Sequence, residues 1–328
     1  MRNPRSLVQG HRHRRGAWAP TLLPAALLGL TLALTACGSP DTGSETDTDA
    51  ESDGAFPVTV DDALGEVTIE AEPERIVSLS PTATEMLFAI GAGDQVEAAD
   101  EYSNFPEDAP TTDLSGFTPN VEAIVEYDPD LVLLARSSED TAPQLEDVGV
   151  PVVVLDDAAT LEDAYAQMRM LGEATGNAES ADAEAERVQA EFDAVVESVR
   201  EDVGEVDLTF YQELDDSLYS ATSGTFVGQI YQAFGLENIA DAADGADSGY
   251  PQLSPEYVVD ENPDLIFLSY GDEETLASVG ERPAFDTVTA VEDDAVYLLD
   301  ADISSRWGPR VVEFAELVGE AVRENAGA

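Results

Sequence analysis

Residues 178–203 read AESADAEAERVQAEFDAVVESVREDV, with neither proline nor glycine. Ala181, Ala185, Val188, Phe192, Val195 and Val199 recur at intervals of three or four, so they share one face of a helix, and the other faces are mostly charged or small. One unbroken helix of this length spans roughly 39 Å at about 1.5 Å per residue. A single apolar stripe predicts a rod lying against other structure along one side.

The texture on both sides of the rod is alternation. Before it, apolar runs over 58–60 and 67–69 flank an Asp-Asp-Ala-Leu-Gly loop and read as a hairpin. Strands over 75–79, 130–135 and 152–155 then alternate with helices over 82–90, 141–148 and 161–175. After the rod come strands over 208–212, 265–268 and 296–299 and helices over 226–234 and 309–325. Strands alternating with helices predict mostly parallel sheets covered on both faces. The expected fold class is α/β: two Rossmann-like lobes, residues 56–177 and 204–328, joined by one long helix over 178–203, with a ligand cleft between them.

An internal echo ties the two lobes together. Val121-Glu122-Ala123-Ile124 through Pro129-Asp130-Leu131 matches Pro255-Glu256-Tyr257-Val258 through Pro263-Asp264-Leu265 at a constant offset of 134 positions. Each copy is a short helix, a Pro-Asp turn and a hydrophobic strand. Glu122 and Glu256 each begin their helix, where the positive end of the helix dipole favours a carboxylate.

Charge and cysteine content narrow the function. All 14 basic residues are arginine, against 69 acids, for a formal net charge of -55. Residues 1–36 carry five of those arginines and no acid, so the remainder sets nine arginines against 69 acids. Such a chain repels nucleic acid. The acids are spread along the sequence, as in a solvated coat. Cys37 is the only cysteine, and both histidines, His11 and His13, precede it. An arginine-rich start, an apolar run over 22–34 and the ending Leu34-Thr35-Ala36-Cys37-Gly38 resemble a lipoprotein signal peptide over 1–36, with Cys37 as the lipid-bearing first residue. Residues 37–55, rich in Ser, Thr, Gly, Asp and Glu, read as a disordered tether. A chain starting at Cys37 has no histidine base and no thiol nucleophile. No Gly-x-Ser-x-Gly or phosphate-loop motif appears either, and the expectation is a protein that is not an enzyme and uses no cofactor or metal.

Several motifs, taken in order, carry a resemblance to a known family. They are Arg75-Ile76-Val77-Ser78-Leu79-Ser80-Pro81-Thr82-Ala83-Thr84-Glu85, the segment from Asn120 to Val132, Thr222-Ser223-Gly224-Thr225-Phe226, Gly235-Leu236-Glu237-Asn238, and Ser305-Arg306-Trp307-Gly308-Pro309-Arg310. Around a proline-free rod, this order resembles the periplasmic-binding family for cobalamin and iron-siderophores. The likeness covers about 58–322. It implies a solute-binding component of an ABC importer, extracytoplasmic and lipid-anchored, expected as a monomer. Its partners would be a small-molecule ligand, permease subunits, and the membrane through the lipid on Cys37.

Two loops resemble those of the family's vitamin B12 binders: Tyr102-Ser103-Asn104-Phe105-Pro106, and Gly249-Tyr250-Pro251-Gln252-Leu253-Ser254. Tyr250 takes the place of one stacking tryptophan. The other aligns with Gly116, which leaves Phe117 as the nearest ring. Candidate ligand contacts are Tyr102, Phe117, Arg136, Tyr250, Asp302, Arg306 and Trp307. Rings suit a large flat ligand, and arginines that follow strand ends lie where α/β sheets place their crevices. Asp302 is expected in a loop after the last strand. The resemblance further implies that Glu122 and Glu256 dock on the two permease subunits. The expected cargo is a corrinoid; a ferric siderophore is the alternative. A lipid-anchored carboxylate-dependent hydrolase is the remote reading, since 69 acids could include a catalytic pair.

Overall fold

In the computed structural model, which describes residues 56–327, two four-stranded sheets flank the rod. Cys37, residues 1–36 and the rest of the 37–55 segment lie outside the described residues. All of residues 56–327 fall in one unit.

The first lobe opens with the antiparallel hairpin β1 (Val58–Asp61) and β2 (Glu66–Ile69). It continues through β3 (Ile76–Leu79), α1 (Pro81–Ala89), β4 (Val96–Ala99), α2 (Val121–Val125), β5 (Leu131–Ala135), α3 (Ala142–Glu146), β6 (Val152–Leu155) and α4 (Leu161–Thr175). The strand order is β4-β3-β5-β6, all parallel. Leu131, Leu133, Val153 and Leu155 point into one core, while Val132, Leu134, Val152 and Val154 point into another. Burial on both faces explains why these strands read as unbroken apolar runs instead of alternating ones.

The rod is α5 (Ala178–Val203), with the bounds its sequence predicts. It packs on α4 at one end and, after the second lobe is built, on that lobe's last helix at the other. Two glycines make the close approach possible. A Cβ on Gly172 of α4 would stand 2.2 Å from the Ala181 Cβ. Gly319 lies on the last helix, and a Cβ there would stand 2.8 Å from Val199.

The second lobe runs β7 (Thr209–Glu213), α6 (Phe226–Ala233), β8 (Glu237–Asn238), α7 (Pro255–Glu261), β9 (Leu265–Leu268), α8 (Glu273–Ser278), α9 (Thr289–Glu292), β10 (Val296–Leu298), α10 (Ala301–Ser305) and α11 (Val311–Asn325). Its order is β10-β9-β7-β8, again all parallel. Numbered from β3 and β7, the first strand of each four-stranded sheet, the two sheets have the same topology.

The 134-position echo extends further than the sequence match. Ile76 pairs with Leu131, and Phe210 pairs with Leu265. Asp130 accepts hydrogen bonds from the backbone N–H of Glu74 and Arg75 (both 2.9 Å), and Asp264 accepts from the Thr209 N–H (2.8 Å). The helix before each junction is capped alike, Asn120 accepting from the Ala123 N–H and Ser254 from the Tyr257 N–H. Asp128 and Asn262 then take the same left-handed turn, with φ of 52° and 49°. The repeated Pro-Asp therefore ties two neighbouring strands at their starts in both lobes.

Three expectations are corrected. Strands β4 and β8 were not anticipated, because Val-Glu-Ala-Ala and Glu-Asn are too short to carry a pattern. Asp302 sits on α10, capped by Asp300, and not in a loop. The final helix starts at Val311, because Gly308 and Pro309 occupy a turn before it.

Candidate ligand site at the strand carboxyl ends

In open α/β sheets the crevice lies outside the carboxyl ends of the strands, where the chain's crossovers change side. Here those ends carry exposed rings in both lobes. After β4 come Tyr102, about half exposed, and Phe105; further on is Phe117, which is 69% exposed. Tyr102 and Phe117 meet edge to face with centroids 5.6 Å apart. The Asp100 carboxylate organises this loop by accepting from the Tyr102 N–H (2.7 Å) and the Ser103 hydroxyl (3.1 Å). Burial pushes the Asp100 carboxyl up, against those bonds and the Arg306 charge, which pull it down. Gly116 passes so close to the end of β3 that a Cβ would lie 2.9 Å from the Leu79 carbonyl oxygen. A large side chain does not fit at 116, and the ring stands instead at 117.

In the second lobe Tyr250 follows Gly249, whose φ is 80°. Its loop zips to the segment after β7 through the Tyr219–Gln252 bridge and bonds from Ser220 N–H to Pro251 and from Thr222 N–H to Gly249. Burial and the carboxylate of Asp157, from the other lobe, push the Tyr250 phenol up. The zipper pairs Tyr219, also exposed, with Gln252, two residues from Tyr250. Tyr219 and Phe105 were missed in the sequence, though each shows the signal that picked Tyr102 and Tyr250: an aromatic in a polar loop after a strand.

Arg306 is not a free cation. It is almost wholly buried and donates to Glu85 of α1 (2.8 Å), to Asn104 (3.1 Å), to the Tyr102 carbonyl (2.9 Å) and to Asp302 (2.6 Å). Arg310 reaches the same Glu85 carboxylate at 2.6 and 3.0 Å and lies over the Phe105 ring at 4.4 Å. Burial opposes the Arg310 charge, and Glu85 more than offsets that, so its pKa is raised. Asp302 also accepts from the Asn104 side-chain amide (2.7 Å). Two arginines and two carboxylates, drawn from both lobes, thus form a balanced cluster. Sequence reading missed Glu85, Asn104 and Arg310 because no local pattern links residues more than 200 positions apart.

The remaining candidates are placed as follows. Trp307 is half-buried and donates from its indole to Gln167 of α4 (2.9 Å), a further contact between lobes. Arg136 follows β5, is partly exposed, and donates to the Ala63 carbonyl in the β1–β2 loop (2.6 Å). It also sits 2.7 Å from Glu139, at an angle that makes an ion pair but no hydrogen bond. Glu122 and Glu256 are exposed at the second residue of α2 and α7. The structure therefore brings together Tyr102 with Phe117, and Asp302 with Arg306. Arg136, Tyr250 and Trp307 stand at other points of the same strand-end surface.

A third set lies within the second lobe. Glu213, at the end of β7 and fully buried, takes both arms of Arg282 (2.6 and 2.8 Å) and the Tyr270 hydroxyl. Tyr270 and Arg282 border a cavity of about 480 Å³ shared with Leu218 and Pro255. Nothing in the local sequence flags the set.

No helix among the described residues is long and apolar enough to cross a membrane. The family model for periplasmic binding proteins matches residues 76–303. An uncharacterized ABC transporter substrate-binding lipoprotein of Bacillus subtilis is 30% identical over 95% of this chain and 98% of its own. A cobalamin-binding protein of Halobacterium salinarum is also 30% identical, over 81% of this chain and 74% of its own. Among solved structures, the periplasmic heme-binding protein of Roseiflexus superposes with a TM-score of 0.65 at 26% identity, over 77% of this chain and 99% of that one. These relatives are solute-binding proteins and not enzymes. With the match running from β3 into α10, through both sheets and the rod between them, the chain belongs to the periplasmic binding protein family.

Proposed function

We propose that this protein captures a corrinoid of the cobalamin type outside the cell membrane, held there by lipid on Cys37, and passes it as a monomer to an ABC permease. The observation that carries the reading is the set of exposed rings at the strand carboxyl ends: Tyr102 paired with Phe117 in one lobe, Tyr219 and Tyr250 on one zippered loop pair in the other. A broad, flat, amide-rimmed ligand buries rings of this kind and finds hydrogen-bond partners in Asp302, Asn104 and the loop backbone. The cobalamin-binding relative supports the same cargo. Arg136, Arg306 and Trp307 frame the site, the second chiefly by fixing the Tyr102 loop. Glu122 and Glu256, equivalent under the internal repeat, suit a partner with two-fold symmetry.

The test uses Trp307, the only tryptophan after residue 37. Its emission is followed while mature protein is titrated with cobinamide, cobalamin, a ferric hydroxamate and a ferric catecholate. Saturable response to the corrinoids alone is expected; response to the iron complexes alone overturns the corrinoid reading. Reversing both Glu122 and Glu256 to arginine should leave affinity unchanged and abolish uptake. A loss of affinity would remove the docking role.

A further inference from the structure

The described residues contain nine arginines, no lysine and no histidine. Every one of the nine lies within ion-pair distance of a carboxylate. At the strand ends the pairs are tight: Arg136 with Glu139, Arg282 with Glu213, and Arg306 and Arg310 with Glu85. Meanwhile Asp156 and Asp157 after β6, and Asp215 and Asp216 after β7, form no ion pair with any described residue. Asp157 is near enough to Tyr250 to act on its phenol.

An anion entering this surface meets carboxylates with no cation to spare. To serve it, an arginine would have to leave its partner. For Glu85 and Glu213 that strands a buried charge, which is strongly unfavourable. Ligand N–H donors, by contrast, meet carboxylates that no arginine holds and whose second oxygen (both oxygens, at Asp157) takes no hydrogen bond from a described residue, and charge-assisted bonds of this type are the strong ones. Repulsion of the wrong solute is as effective a source of specificity as attraction of the right one.

We propose that the site selects by charge: it takes a solute whose rim is uncharged or cationic and rich in N–H donors, and rejects polyanions of the same size and shape. This rests on the reading that the ring-bearing loops bound the ligand site, but not on the ligand being a corrinoid.

The experiment uses matched pairs at physiological ionic strength, where the Debye length is about 8 Å and distant surface charge is screened. One pair is cobinamide against cobyrinic acid, the same ring with carboxylates in place of amides. The other is a cationic ferric hydroxamate against an anionic ferric tricatecholate. The uncharged or cationic member of a pair that binds should be favoured by at least about tenfold, the effect of one like charge as far as about 12 Å away at an effective dielectric of ~20. Glu139→Gln, which releases the partly exposed Arg136, should narrow that preference several-fold by strengthening the anion. If the corrinoids fail and the cationic hydroxamate binds over the tricatecholate, the corrinoid reading falls and charge selection stands. If cobyrinic acid binds as tightly as cobinamide, charge selection is overturned and the corrinoid reading survives.

Discussion

Two buried glutamates, Glu85 and Glu213, are each held by arginine, but from different places. Glu213 takes Arg282, 69 positions away in the same lobe. Glu85 takes Arg306 and Arg310 from the opposite lobe, 221 and 225 positions away. The first pair closes off one end of a sheet. The second crosses between lobes and, through Asn104 and the Tyr102 carbonyl, also sets the loop that presents the exposed rings. Charge buried inside a lobe therefore fixes local shape, whereas charge buried between lobes fixes how the two halves meet.

The contrast breaks most visibly on truncation. Glu85→Ala leaves two buried arginines facing each other and should cost about 3–5 kcal/mol, read by chemical denaturation. A label on each lobe should report a wider or broader separation. Glu213→Ala should cost a similar ~3–5 kcal/mol with the separation unchanged. Equal separations in both variants would end the distinction. Gly172→Ala tests whether the rod shares in the coupling: forcing a methyl against Ala181 should cost about 1–3 kcal/mol through overpacking. Asp302→Asn removes only the partly exposed arm of the cluster, and about 1 kcal/mol or less is expected, since water screens exposed pairs.

The subtlest handle is pH. Because the Asp100 carboxyl is raised in the folded protein, its contribution is fully present below the ordinary carboxylate range and fades as the pH climbs through the raised value. Relative to Asp100→Asn, wild-type protein should gain stability on acidification across that window. A pH-independent difference would place Asp100 outside the network.

Legibility in the sequence followed the range of the interactions. The rod's bounds, β6, α4 and β9 could be read residue by residue, because periodicity and caps are local. The repeat shows the two junctions, and in the folded protein it runs on into strand register and the left-handed turns at Asp128 and Asn262. Tyr102 and Tyr250 stood out as aromatics in polar loops, and the same rule applied evenly would have added Phe105 and Tyr219. Arg306 is legible by its place near a strand end. Its engagement by Glu85 depends on two lobes meeting, which spacing along one chain does not encode. Glu85 itself lies in an apolar helix and reads there as an ordinary helix former.

The glycine contacts along α5 have a mechanical consequence. With Ala181 pressed against Gly172 and Val199 against Gly319, neither end of that helix can roll or slide on its neighbour without collision. Gly176 and Gly204, with φ values of 76° and 77°, turn the chain into and out of this packed helix in a conformation that glycine adopts without strain. The helix thus acts as a keyed bar on which α4 and α11 each have one seat.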